Sequence, residues 1–462
     1  MKYIDEGRIE NNLAQAGKAS AERVAEILEK SRKLQRLSLD EAACLLSAQD
    51  PLLVKSIFET AAEVKDRIYG KRVVLFAPLY ISNFCANACL YCAFKSDNKE
   101  IVRKALSMEE IKQQVEWLLK RGHKRILMVG GESGAAGKEP IDYYVDAVKA
   151  IYSVSVGPHR IKRVNANVAP LSVEQFKKLK NSGIGTYQLF QETYHEKTYR
   201  LVHPKGPKSD PDNRVAGIDR AFQAGIDDVG IGVLYGLYDW KFETLAMLMH
   251  VEALEKNFNV GPHTISVPRI EPAQGVEFVK NLKYKVSDQE FKMIVAVLRL
   301  AVPYTGIILS TRESAQMRDE LFNLGISQVS AESRTNPGGY CDQSGDESAA
   351  QFSLSDSRTL DEVMASLIEK GNIPSFCAAC YRKERTGESF MNLAKPGTIK
   401  GKCSMNALIT LKEYLDDFAS PVVKDQGYKM IRELRDKLSP EDKVTVADFF
   451  AGIDKGRRDD YV

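Results

Sequence analysis

The sequence predicts an α/β fold: a (β/α)8 TIM-type barrel over residues 71–340, preceded by a helical segment, 1–70, and followed by a mainly helical domain, 341–462. Three observations predict it. Eight short, apolar, β-rich runs alternate with longer amphipathic stretches between Lys71 and Tyr340. Several of those stretches open with a serine followed three residues later by Glu or Gln, the spacing of a capped helix start. A cysteine-rich loop follows directly on the first run, and barrels of this kind carry their chemistry in the loops after the strands. A doubly wound open sheet shares the same periodicity and stands as the alternative.

In the lead-in, Ser38 and Glu41 have capping-box spacing, with Ala42, Ala43, Leu45 and Leu46 as apolar positions behind them. The eight strands are expected at Val73–Ile81, Arg125–Val129, Arg163–Val168, Thr186–Phe190, Asp228–Leu234, His263–Ile270, Gly306–Ser310 and Gln328–Ala331. Helix starts are expected at Ser107 with Glu110, Ser172 with Gln175, and Ser287 with Glu290. The polar, turn-rich stretch from Cys341 to Ser348 marks the exit from the barrel. Near the end, Ser439 and Pro440 open a last helix with a cap and an N1 proline.

Composition narrows the function classes. Lys plus Arg exceed Asp plus Glu by only three, 65 against 62, so nothing points to nucleic acid or an anionic membrane surface. No apolar run is long enough to span a bilayer, and the first residues lack a signal-peptide pattern, so a cytoplasmic protein is expected. Of eight cysteines, six fall in two tight groups, Cys85, Cys89, Cys92 and Cys377, Cys380, Cys403, which reads as metal ligation and not disulfides. Cys44 lies in a helical apolar pattern and reads as core. Cys341, beside Gly338, Gly339 and Tyr340, reads as a loop thiol.

The first group has Cys-x3-Cys-x2-Cys spacing. A tetrahedral structural zinc wants four ligands, whereas three thiolates on a 4Fe-4S cubane leave one iron open and reactive. This loop resembles the defining motif of the radical S-adenosylmethionine (SAM) enzymes. The resemblance implies that the open iron binds SAM, that reductive cleavage yields a 5′-deoxyadenosyl radical, and that Tyr91 packs against the adenine. Gly130, Gly131 and Glu132 end the second strand; alone they read as a plain turn, but they are similar to the family element that holds the SAM amino group. Glu192 and Thr193, with Tyr199, His203, Pro204 and Arg214, resemble the segment after the fourth strand in biotin-synthase-like members. There the acid and the arginine contact the ribose and carboxylate of SAM.

The second group gives Cys-x2-Cys-x22-Cys, again three thiolates, which favours a second cluster over a closed zinc site or a redox dithiol. With the flanking Cys-Tyr-Arg, Arg-Thr-Gly and Asn-Leu-Ala-Lys-Pro-Gly phrases, it resembles the radical SAM tyrosine lyases that mature FeFe-hydrogenases. The resemblance runs from about residue 30 to the C-terminus. It implies cleavage of the tyrosine Cα–Cβ bond to p-cresol and dehydroglycine, then conversion of dehydroglycine to carbon monoxide and cyanide at an auxiliary cluster. It also implies an extra labile iron held with a free cysteine, an iron ligand at His263, and delivery to other hydrogenase maturation proteins. Arg312 and Ser330 stand where related lyases bind the substrate carboxylate. Glu384 departs from the pattern, since the family phrase carries glycine there. Two other readings remain open: a thiazole-pathway tyrosine lyase that stops at dehydroglycine, and a non-catalytic iron-sulfur scaffold.

Overall fold

The computed structural model describes residues 1–17, 20–133, 139–342, 344 and 348–462. Eight parallel strands close on themselves: β1 (Arg72–Ser82), β2 (Arg125–Gly130), β3 (Arg163–Asn167), β4 (Tyr187–Glu192), β5 (Val229–Val233), β6 (Thr264–Ser266), β7 (Gly306–Leu309) and β8 (Gln328–Ser330). Closure comes from Val74 to Phe76 of β1 pairing with Gln328 to Ser330 of β8, which rules out the open doubly wound sheet. All eight expected strands are present. The sixth is shorter than expected because Pro268 has no N–H to give to a ladder.

The capping boxes at Ser38, Ser107, Ser172 and Ser287 all form. They start the helices Leu39–Leu46, Met108–Lys120, Val173–Asn181 and Asp288–Ala301. Cys44 is buried in the first of these, as its pattern predicts. Ser439 caps the helix Pro440–Asp454 through Asp442 N. One strand lies outside the expectation: β9 (Ile373–Ser375), in the stretch read as helical, pairs with the start of β1. At Val74 both edges of β1 are therefore taken, by Gln328 and Ser375. The exit stretch lies partly outside the described residues, at 343 and 345–347; Cys341 is exposed, and the chain beyond it returns over the barrel.

Two β-bulges matter for the site. The β1–β2 register shifts between Tyr80 and Ser82, and the β4–β5 register between Phe190 and Glu192. An extra residue re-aims the side chains that follow it. The first bulge precedes the cysteine loop, and the second turns Glu192 into a left-handed conformation, φ 72°.

Inside the barrel Gly230 faces Thr264 and Gln188; a Cβ there would stand 2.5 Å from Thr264 Oγ1 and 2.9 Å from Gln188 Cγ. Thr264 in turn pairs with Gly306, whose nearest side chain is Gln328. Glycine thus leaves room for the polar side chains of Gln188, Thr264 and Gln328 to pack inside the barrel. Gln188 Oε1 and Thr264 Oγ1 are buried there without a hydrogen-bond partner among the described residues.

Candidate active site

At the C-terminal mouth a cavity of about 190 Å³ is bordered by Cys85, Cys89, Cys92, Gly130, Gly131 and Glu132, and by residues in or after each of the other strands. Burial pushes the Cys89 thiol up to about 12 and Cys92 up to about 11, so both stay protonated unless positive charge enters the space they border. Iron supplies that charge, and the donors around the sulfurs suit thiolates: Asn87 Nδ2 lies 3.6 Å from Cys85 Sγ and Gln351 Nε2 3.6 Å from Cys92 Sγ. Three thiols and an open cavity fit a cluster with one free iron.

Beside them, Glu132 accepts from Arg214 Nη1 at 2.6 Å and from Asn87 Nδ2 at 2.7 Å. Burial alone would raise this carboxyl, but Arg214, Lys208 and Asn87 hold it below its ordinary value. Arg214 Nε also donates to Phe190 O at 2.7 Å, which fixes the plane of the guanidinium. Glu192 pairs with Lys208 Nζ at 2.7 Å and not with Arg214. Lys208 is anchored at both ends of its backbone, N to Asn87 Oδ1 at 2.8 Å and O from Tyr199 OH at 2.6 Å.

Tyr91 is buried, and its hydroxyl meets His203 Nε2 at 2.8 Å, while His203 Nδ1 faces Tyr199 O at 2.9 Å. A carbonyl can only accept, so Nδ1 carries the proton and Nε2 accepts from the phenol. On the far wall Ser330 Oγ accepts from Thr311 N at 3.2 Å, and the Arg312 guanidinium lies 3.3 Å from the centroid of the Phe352 ring.

Gly131 sits against the cysteine loop. A Cβ on it would collide with the carbonyl oxygen of Phe84, the residue before Cys85. Backbone cannot yield as a side chain can, so Gly131→Ala is expected to displace the loop and lower iron loading at the first site at least several-fold, read by iron analysis after reconstitution.

Glu243, buried on the helix Trp240–Phe258, accepts from Tyr194 N at 2.8 Å and from Thr193 Oγ1, pinning the turn that begins at Glu192. Burial pushes its carboxyl up to about 8 from an ordinary 4.5. The folded state therefore keeps a proton that the unfolded state loses, and stability falls as pH rises from about 4.5 through about 8. Glu243→Gln is expected to flatten that slope in urea unfolding measured across the range.

At the opposite, N-terminal mouth a cavity of about 30 Å³ is bordered by Cys377, Cys380, Cys403, His263, Arg72 and Arg125. Cys377 and Cys380 follow β9, and Cys403 comes from the helix Ile399–Asp417. Burial pushes Cys380 up to about 12 and raises Cys403, while it drives Arg125 down to about 9 with Arg163 and Arg72 adding to the effect. The Nε atoms of Arg72 and Arg125 are buried without a partner. Asp228 pairs with Arg163 at 2.6 Å, but Arg72 and Arg125 stand beside neutral thiols without a carboxylate of their own, and a thiolate-bound iron-sulfur group provides the counter-charge. His263 is held near pKa 4 by burial, hence neutral as a ligand must be, with Asp228 Oδ2 3.7 Å from its Nδ1. Among the described residues no three His, Cys, Asp or Glu side chains close on a single ion-sized point.

The sequence model of the Radical SAM superfamily matches residues 79–250, and that of the Biotin and Thiamin Synthesis associated domain matches residues 266–373. A crystal structure of HydG, a maturase of the FeFe-hydrogenase, is 47% identical over the full length of both chains, with a TM-score of 0.96. The chain belongs to the HydG family of radical SAM enzymes. HydG from Carboxydothermus hydrogenoformans is 40% identical over 96% of this chain and 97% of its own, at TM-score 0.83. A 2-iminoacetate synthase from Salmonella typhimurium is 33% identical over 348 residues, 75% of this chain and 89% of the relative. Radical SAM membership implies SAM and a 4Fe-4S cluster as cofactors. No helix among the described residues is long and apolar enough to cross a membrane.

The motif residues expected from the sequence collect at two mouths of one HydG-type barrel. Lys208, Asn87, Gln351 and the arginine cage were not anticipated. Only Asn87 carried a signal, its place inside the cysteine loop. Glu384, where glycine is expected, has φ 54°, a conformation glycine adopts without strain. Glu384→Gly is expected to raise stability by about 1 kcal/mol in equilibrium unfolding.

Proposed function

We propose that this protein is a tyrosine lyase that cleaves the Cα–Cβ bond of L-tyrosine to p-cresol and dehydroglycine. It then converts dehydroglycine to carbon monoxide and cyanide at its second site, for assembly of the FeFe-hydrogenase cofactor. The observation that carries this reading is the pair of thiol triplets at opposite mouths of one barrel. Reduced, a cluster on Cys85, Cys89 and Cys92 supplies the electron that cleaves SAM to a 5′-deoxyadenosyl radical.

The chain positions the partners. Gly130 and Gly131 let SAM approach the backbone, and Glu132 retains lone pairs beyond Arg214 and Asn87 to accept from its ammonium. Arg214 and Glu192 face its carboxylate and ribose, and Tyr91 packs on the adenine. Arg312, stacked on Phe352, offers a fork to the tyrosine carboxylate, with Ser330 beside it. At the other mouth Cys377, Cys380 and Cys403 hold the auxiliary cluster, and His263 with a free cysteine holds an extra labile iron. The product goes to other hydrogenase maturation proteins in the cytoplasm. In this reading residues 71–340 form the catalytic barrel, 1–70 brace it, and 341–462 carry the second cluster.

The test is anaerobic incubation of reconstituted protein with SAM, dithionite and tyrosine. All three of p-cresol, cyanide and carbon monoxide are expected. The similarity to 2-iminoacetate synthase favours a second reading, a lyase that stops at dehydroglycine; p-cresol without either diatomic would select it.

A further inference from the structure

Beyond β8 the chain crosses the C-terminal mouth as a strap, residues 348–356. Main-chain bonds tie it to the cysteine loop region (Val102 N to Ser348 O, Ala93 N to Gln351 O) and to the loop after β8 (Gln351 N to Thr335 O). Others tie it to the loops after β6 (Ser353 N to Pro272 O) and β7 (Ser355 N and Asp356 N to Thr311 O). A segment held by so many loops can place a side chain firmly, although it lies outside both cysteine motifs.

Gln351 is the strap residue directed at a thiol. Its Nε2 donates to Cys92 Sγ at 3.6 Å, and its Oε1 accepts the Tyr80 hydroxyl at 2.8 Å. Tyr80 is buried on β1 and packs edge-to-face with Phe94, ring centroids 5.9 Å apart at 84°. With the phenol donating to Oε1, the amide can present only N–H to the sulfur. Asn87 differs: it divides its Nδ2 between Cys85 and Glu132. Hydrogen bonds to the sulfurs are among the few levers a protein has on a cluster's potential, because a donor on sulfur draws off the negative charge that reduction increases.

We propose that Gln351 is a positioning residue that raises the reduction potential of the first cluster through its N–H···S bond to Cys92, with Tyr80 locking the amide in that orientation. The inference rests on the assignment of that cluster to Cys85, Cys89 and Cys92. It extends the radical site to a residue that reaches it from beyond the barrel's last strand.

The experiment uses full-length protein, wild type, Gln351→Leu and Tyr80→Phe, reconstituted anaerobically with iron counted. Each is titrated with dithionite and mediators, following the electron paramagnetic resonance signal that changes when SAM is added. Gln351→Leu is expected to lower the ratio of reduced to oxidised cluster at a fixed poise about tenfold, equivalent to about 59 mV for a one-electron couple. Tyr80→Phe should shift it the same way by less, and the signal of the second cluster should not move. An unchanged midpoint in iron-loaded Gln351→Leu overturns the proposal, as does an equal shift at both clusters, the mark of general loosening. Should Gln351→Leu fail to load iron, Tyr80→Phe decides alone: no shift there overturns it. Wild-type protein with no SAM-responsive cluster would sink the first-site assignment itself, and the inference with it.

Discussion

Replacing Cys377, Cys380 and Cys403 together by alanine is expected to bring carbon monoxide and cyanide below detection while p-cresol formation continues. The three thiols border a cavity that shares none of its lining residues with the one around Cys85, Cys89 and Cys92. In the proposed mechanism cleavage of tyrosine draws on the first mouth alone, so its rate should fall by no more than a few-fold. The same variant should also be less stable. Arg125 remains buried and Arg72 half-buried, and the Nε atoms of both already lack partners. Arg163 keeps its pairing with Asp228 at 2.6 Å, but removing the anions that the thiols can become leaves Arg72 and Arg125 uncompensated, the costly way to disturb a buried charge group. Chromatography of p-cresol beside a haemoglobin assay for carbon monoxide checks the first half, and thermal unfolding the second. Carbon monoxide at wild-type yield would remove the second site from the mechanism.

The other large effect is expected at Arg214. Its guanidinium joins Phe190 O to Glu132 Oε1, and the pair is almost wholly enclosed. Truncation to alanine leaves Glu132 with Asn87, and with Lys208 as its nearby cation, and breaking a buried pair costs about 3–5 kcal/mol. With that loss falling on the geometry that receives SAM, affinity should drop roughly 10²- to 5 × 10³-fold. Arg214→Lys keeps the charge but not the two-pronged bond, so it should recover only part of the affinity. Isothermal titration of SAM into reconstituted protein measures both. A wild-type dissociation constant in Arg214→Ala would show that the arginine serves the fold and not the cofactor.

What could be read without coordinates was whatever is local. Cys85, Cys89 and Cys92 lie within eight positions, so one loop can bring them to one cluster, and the count of thiols already argued for an open one. The barrel was legible for a similar reason, since buried parallel strands read as apolar runs and capped helices announce their first turn. The anomaly at Glu384 was legible too, and its positive φ gives the reason.

Tertiary structure alone decided the partners. The resemblance gave Glu192 and Arg214 as contacts to SAM and named a protein partner for neither. The bulge at Glu192 and the path of the following loop give Glu192 to Lys208 and Arg214 to Glu132, 82 residues away. Gln351 reaches Cys92 across 259 residues, and Arg72, Arg125 and Arg163 meet only because each starts a neighbouring barrel strand. Spacing along the chain records which residues one loop can bring together. A charge or an amide delivered from another strand leaves no periodic trace, because its value depends on the buried partner it meets and not on its neighbours in sequence.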